Sequence, residues 1–191
     1  MNVTKQSGSE EQIDAETQYN LGICYYNGNL GVAKDDVEAV KCFRKAAEQN
    51  IALAQYCLGV CYAKGRGVAT DAGEAVKWYR RAAAQNCANA QSNLGVCYEK
   101  GRGVVPDYVE AAKWYRKAAE QDYALAQYNL GRCLAIGQGM AQDKVEAYKW
   151  HLLAAAKGGW RAKIGRFLVK RTMTRAQIAE AQRRASEFKP K

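Results

Sequence analysis

The chain has 191 residues, 48% of them hydrophobic, with 29 Lys and Arg against 19 Asp and Glu, a formal net charge of +10, and a single His. No stretch approaches the ~20 apolar residues that a membrane-spanning helix needs, and the opening "MNVTKQSGSEEQIDAE" lacks the apolar core of an export signal. As written the chain reads as cytoplasmic and soluble, or as secreted or periplasmic if a leader has been removed; residues 1–13 read as a flexible N-terminal segment.

From there one phrase repeats. Leu-Gly recurs at Leu21-Gly22, Leu58-Gly59, Leu94-Gly95 and Leu130-Gly131, at steps of 37, 36 and 36, the extra residue falling in the first loop "YNGNLGV". Ala39, Ala75, Ala111 and Ala147 keep the step, as do the pairs Ala46-Ala47, Ala82-Ala83, Ala118-Ala119 and Ala154-Ala155. A fixed period and phase mark a repeat array, with units at about 14–51, 52–87, 88–123 and 124–159.

Each unit reads as two helices. In the third, Ala90, Leu94, Gly95, Cys97 and Tyr98 share one helical face, and "GRGV" supplies glycine at the helix end, where a left-handed residue is needed. Asp-x-x-Glu then recurs at Asp35 to Glu38, Asp71 to Glu74, Asp107 to Glu110 and Asp143 to Glu146. That spacing predicts a reciprocal capping box, with Asp accepting from the first amides and Glu reaching back. The second helix comes next, as in "EAVKWYRRAAAQN". A hairpin of this size cannot bury its apolar face alone, so stacking is required. The prediction is an all-α, right-handed superhelical solenoid of helix-turn-helix units.

The pattern A-L-A-Q-Y-N-L-G-x-C, then G-x-G, D-x-x-E-A-x-K-W and A-A, resembles the Sel-one-like repeat (SLR) family, a relative of the tetratricopeptide repeats. The resemblance covers residues 14–159, and "RAQIAEAQRRASEF" resembles the terminal helix of bacterial members. It implies a scaffold or adaptor for other proteins, without chemistry of its own. Unit one departs with Cys42 where Trp78, Trp114 and Trp150 stand. Unit four departs with Leu134 in place of Tyr25, Tyr62 and Tyr98, and with the loop "GQGM". These read as end effects of a finite stack.

Residues 160–191 lose the Leu-Gly phase and read as capping helices. Trp160, Ile164, Phe167 and Leu168 fall on one helical face and Arg161, Lys163, Arg166 and Lys170 on the other, with Arg171 next in the chain. Thr174-x-x-Gln177 predicts a second capping box opening a final helix that can seal the open end. From Lys157 to Lys191 there are 11 basic and 2 acidic residues, so nearly all the net charge sits there. Two readings stand: a solvated outer face, or contact with an anionic partner, whether an acidic protein, a polyanion such as nucleic acid, or an anionic membrane surface.

Cys24, Cys61, Cys97 and Cys133 occupy one repeat position. Successive units are one helix-packing distance apart, about 8 to 10 Å, beyond the roughly 7 Å reach of a disulfide. Some secreted SLR proteins bridge the two helices of every repeat; here only Cys24 with Cys42 would be so placed, and reduced core thiols are expected. Cys57 and Cys61 share a face without a Cys-x-x-Cys or histidine partner, so neither metal nor cofactor is predicted. His151 stands where Tyr79 and Tyr115 stand elsewhere, a packing position, and one His completes no catalytic constellation. An enzyme is not expected; a hydrolase of cell-wall-like substrates is carried only because secreted SLR proteins have been suspected of it.

By resemblance to tetratricopeptide arrays, the first-helix residues turned from the core line a concave groove. The candidates are Tyr19, Asn20 and Tyr26 in unit one, Tyr56 and Lys64 in unit two, Asn93 and Lys100 in unit three, and Tyr128, Asn129 and Arg132 in unit four. Asn is a mediocre helix former, so Asn20, Asn93 and Asn129 either bond within the array or hold the backbone of a bound peptide. Tyr offers flat contact with a polar tip, and Lys64, Lys100 and Arg132 tilt the groove toward an acidic peptide.

Overall fold

In a computed structural model the described residues, 14–190, form ten helices and no strand; the expected flexible segment lies outside them. Eight helices of 13 residues make the repeats: α1 (Ala15–Asn27), α2 (Asp36–Glu48), α3 (Ala52–Lys64), α4 (Ala72–Ala84), α5 (Ala88–Lys100), α6 (Tyr108–Glu120), α7 (Ala124–Ile136) and α8 (Lys144–Ala156). Two more complete the chain, α9 (Trp160–Lys170) and α10 (Arg175–Ser186). Odd and even helices pair as hairpins; α2, α4 and α6 each pack on the first helix of the next hairpin, and α8 packs on α9. The result is an all-α solenoid.

Asp35, Asp71, Asp107 and Asp143 cap the second helices as predicted, accepting from backbone amides two or three residues on. The Glu half of the box is corrected. Glu38, Glu74 and Glu110 turn along the helix to pair with Lys41, Lys77 and Lys113 at 2.6, 2.5 and 2.6 Å. A lysine one turn on competes for the carboxylate. Among the described residues only Thr174 and Gln177 form the reciprocal box.

The Leu of each later Leu-Gly, Leu58, Leu94 and Leu130, is fully buried, each stabilising the fold by roughly 1.5–3 kcal/mol. Its glycine seats a ring from the hairpin's own second helix. A Cβ on Gly22, Gly59 or Gly95 would lie 2.6 to 2.7 Å from the ring of Phe43, Tyr79 or Tyr115, and on Gly131 it would lie 3.0 Å from His151. The second glycine of each G-x-G loop locks neighbouring units: at Gly67, Gly103 and Gly139 a Cβ would strike the carbonyl of Asp36, Ala72 or Tyr108 at the start of the preceding second helix.

Buried glutamines tie the units polar to polar. Gln55 and Gln91 donate to the carbonyls of Ala47 and Ala83 in the preceding unit, and accept from Gln85 and Gln121 of their own unit at 2.8 and 2.7 Å. In unit four Lys157 replaces that second glutamine and pairs with Asp122 at 2.5 Å.

The C-terminal helices differ from expectation. α9 takes the place of a fifth first helix, but it docks through its small residues: Ala162 and Val169 are buried, and Gly165 lies against the His151 ring. Trp160, Ile164, Phe167 and Leu168, read as a packing face, stay 51 to 64% exposed. α10 packs back on α8, with Ala181 buried, Phe188 edge-on to Trp150 at 5.4 Å, and Arg184 paired with Glu146 at 2.8 Å.

Candidate protein-binding groove

The predicted row runs along α1, α3, α5 and α7, and α9 extends it. Tyr19, Tyr56 and Tyr128 are half-buried there, each beside a ring from its own second helix: Phe43 at 6.2 Å, Tyr79 at 6.2 Å and His151 at 5.8 Å. The row is broken in unit three, where Ser92 stands in the tyrosine position and is fully buried. Asn20 is exposed; Asn93 is half-buried and lines the same hollow as the Tyr79 side chain. Asn129, only 9% exposed, is corrected from groove contact to interior residue.

The charge expectation is also revised. Glu99, in the groove row itself, accepts from the Tyr115 hydroxyl at 2.8 Å, pairs with Lys100 at 3.1 Å, and pairs with Arg132, which also donates to Gln138 at 3.0 Å. Burial works against the Glu99 charge, but the Tyr115 and Lys100 hydrogen bonds and the Arg132 charge outweigh it and hold its pKa below the usual value. Two of the three cations read as reaching for an acidic ligand thus share one carboxylate within the row, and Lys64 stays exposed. Tyr26 is engaged between units: the Arg66 guanidinium lies 3.5 Å from its ring centre while pairing with Asp36.

Two hollows remain open along the row, one on each side of the filled Glu99 cluster. The first, about 430 Å³, is lined by Ala63, Lys64, Tyr79, Asn93 and Val96 among others. The second, about 450 Å³, lies at the C-terminal end between α7 and α9, lined by Tyr128, Arg132, Ile136, His151, Trp160, Arg161, Ile164 and Leu168. Hollows of this size accept side chains or short segments.

His151 is 2% exposed, and burial alone lowers its pKa to about 4, leaving it neutral near neutral pH. All seven cysteines are free thiols, and burial raises Cys57 to about 12 and Cys61 to about 11. No group of three or more His, Cys, Asp or Glu among the described residues is arranged to hold a metal. Of the cap residues, Arg161 lines the second hollow, whereas Lys163, Arg166, Lys170 and Arg171 are exposed outside it. Sequence reasoning missed the pairing inside the row; Glu99 beside Lys100, one unit before Arg132, was its available signal.

Stacked hairpins of fixed period, with open side chains ranged along the first helices, define the α-solenoid class. The chain belongs to the Sel1 repeat family, whose repeat matches residues 15–51, 52–87, 88–123 and 124–159. It is similar to the crystal structure of a protective antigen of uropathogenic Escherichia coli displaying an SLR fold: 34% identity, TM-score 0.85, over 91% of this chain and 37% of that one. It is similar too to a Sel1 repeat protein from Oxalobacter formigenes: 38% identity, TM-score 0.73, over 78% of this chain and 60% of that one. The chain therefore spans little more than a third of the first and about three fifths of the second. No curated protein sequence matches it. Sel1 repeats generally serve as scaffolds for protein interaction.

Proposed function

We propose that the chain is a non-enzymatic scaffold that binds a segment of a partner protein along the first-helix row. The observation that carries this reading is the pair of hollows aligned on that row, between units two and three and beyond unit four, with half-buried Tyr56, Asn93 and Tyr128 beside them. Tyrosine supplies rigid contact area with a polar end, the composition that interfaces favour.

The test is affinity capture from native lysate with wild type and with a Tyr56→Ala, Tyr128→Ala variant whose circular dichroism matches. A protein retained by wild type, lost by the variant and little affected by added salt is the expected result. Capture indifferent to both tyrosines refutes the reading. So does a bait that retains only nucleic acid released steeply by salt, because counterion release is the mark of polyanion binding.

A further inference from the structure

The hollow at the C-terminal end of the row exists because the repeat changes there. In unit three the corresponding space is filled: Tyr115 reaches Glu99, and Arg132 closes over the same carboxylate. Moving 36 residues on from Tyr115, Glu99 and Arg132 gives His151, Ala135 and Leu168. The ring is shorter, the carboxylate is gone, and the cation has become an apolar side chain. The asparagine position, Asn129, becomes Gly165, whose backbone lies on the imidazole. Bulk and polarity are removed together, leaving about 450 Å³ with an apolar lining.

The walls of this hollow are exposed: Ile136 62%, Trp160 64%, Ile164 51% and Leu168 56%. Arg161 lines the hollow beside them and makes no ion pair among the described residues; Lys163, Arg166, Lys170 and Arg171 are exposed outside it and make none either, so the field around the hollow is positive. Apolar walls that are exposed until a ligand covers them favour a bulky apolar side chain, and Arg161 in the lining, within the positive field of α9, favours a carboxylate next to it.

We infer that this hollow seats a bulky apolar side chain of an acidic partner segment, held between Tyr128, Ile136, Trp160, Ile164 and Leu168 with a neighbouring carboxylate facing Arg161. The inference rests on the groove reading and gives the partner its chemistry. A bilayer is disfavoured as occupant because the apolar residues line a recess between α7 and α9, which a flat surface does not enter.

The test pans a phage-displayed library of random dodecapeptides against the full chain. The enriched consensus is then synthesised and measured by fluorescence polarisation against wild type and four variants. Enrichment of an aromatic or Leu beside Asp or Glu is expected. Ile164→Asp should weaken the consensus by roughly tenfold or more, and Arg161→Glu by roughly fivefold. Ala135→Phe, which fills the hollow from inside without adding charge, should match Ile164→Asp, and circular dichroism of both confirms folding. Tyr56→Ala should leave this peptide unaffected. Enriched peptides that lack carboxylates, or that bind Ile164→Asp and Ala135→Phe as tightly as wild type, overturn the inference. If they are lost with Tyr56→Ala alone, the groove reading stands and the hollow falls; if no peptide is enriched, both fall. Sedimentation of the chain with phosphatidylserine vesicles, abolished by Ile164→Asp without any peptide showing that sensitivity, overturns it in favour of a membrane surface.

Discussion

Replacing Gly103 and Gly31 by alanine, each in turn, separates what a left-handed loop residue costs from what interlocking of units contributes. Both have positive φ, 72° and 78°. Placing a Cβ there costs about 1–2 kcal/mol in either case. They differ in surroundings: a Cβ on Gly31 meets nothing within 4 Å, while on Gly103 it falls on the carbonyl oxygen of Ala72 in the preceding unit. Backbone cannot turn aside as a side chain can, so overpacking adds about 1–3 kcal/mol. Gly103→Ala is therefore expected to lose about 2–5 kcal/mol and Gly31→Ala about 1–2 kcal/mol, in urea unfolding followed by far-ultraviolet circular dichroism. Because each unit is stabilised through its neighbours, loosening the joint between units two and three should also lower the urea dependence as the halves uncouple. Equal losses, within about 0.5 kcal/mol, would refute the claim that the second loop glycine is a stacking contact.

Gly73→Ala should have the opposite sign. The residue lies inside α4, a Cβ on it would sit 3.3 Å from its nearest neighbour, an Asp71 carboxylate oxygen, and Val37, Val109 and Val145 occupy the same repeat position. A gain of about 0.5–1 kcal/mol from helix propensity should appear as a higher unfolding midpoint; a loss would mean that the Asp71 cap is disturbed. His151 predicts acid sensitivity. Its folded pKa, about 4, lies below the 6.5 of an unperturbed His, so protonation favours the unfolded chain. Stability held above about pH 6.5 should be lost as pH falls toward 4, by roughly 2 kcal/mol at about pH 5. His151→Phe should remove that part of the pH dependence, and an unchanged profile would contradict it. Cys57 and Cys61, raised by burial to about 12 and 11, should resist iodoacetamide in the folded chain at about pH 8 and react once guanidinium unfolds it. Equal rates folded and unfolded, read by mass spectrometry, would show those thiols to be accessible.

The frame was legible because it is written in residues with one structural solution each. A Leu-Gly pair buries the Leu and seats a ring on the Gly, a G-x-G loop ends one helix and locks onto the preceding unit, and Asp begins the next helix; each recurs in phase. The site was less legible because its residues have several solutions. Asn93 and Asn129 share a repeat position, yet one is half-buried beside Tyr79 and the other is interior. Arg132 reads in sequence as a free cation because its partner, Glu99, lies 33 positions earlier in the chain. Helical periodicity shows which face a residue occupies; the contact it makes there depends on the neighbouring unit's choice at another repeat position. Repeat alignment predicts the first and leaves the second to packing.

The end of the stack shows why large apolar side chains stand uncovered there. The position 36 residues after Leu130 is Arg166, and the one after Gly131 is Phe167. An arginine cannot take the fully buried place of that leucine without an uncompensated charge. A phenylalanine cannot take the place of a glycine that admits a ring from the hairpin's second helix. A fifth hairpin is therefore excluded by the same two positions that build the other four. Without a second helix closing on α9, α10 packs on α8, where Phe188 meets Trp150. The substitutions that stop the array thus leave Trp160, Ile164 and Leu168 uncovered. Restoring the repeat there, with Arg166→Leu and Phe167→Gly, is not expected to regenerate a hairpin, because α10 lacks a ring to set against the glycine; its buried residue is Ala181.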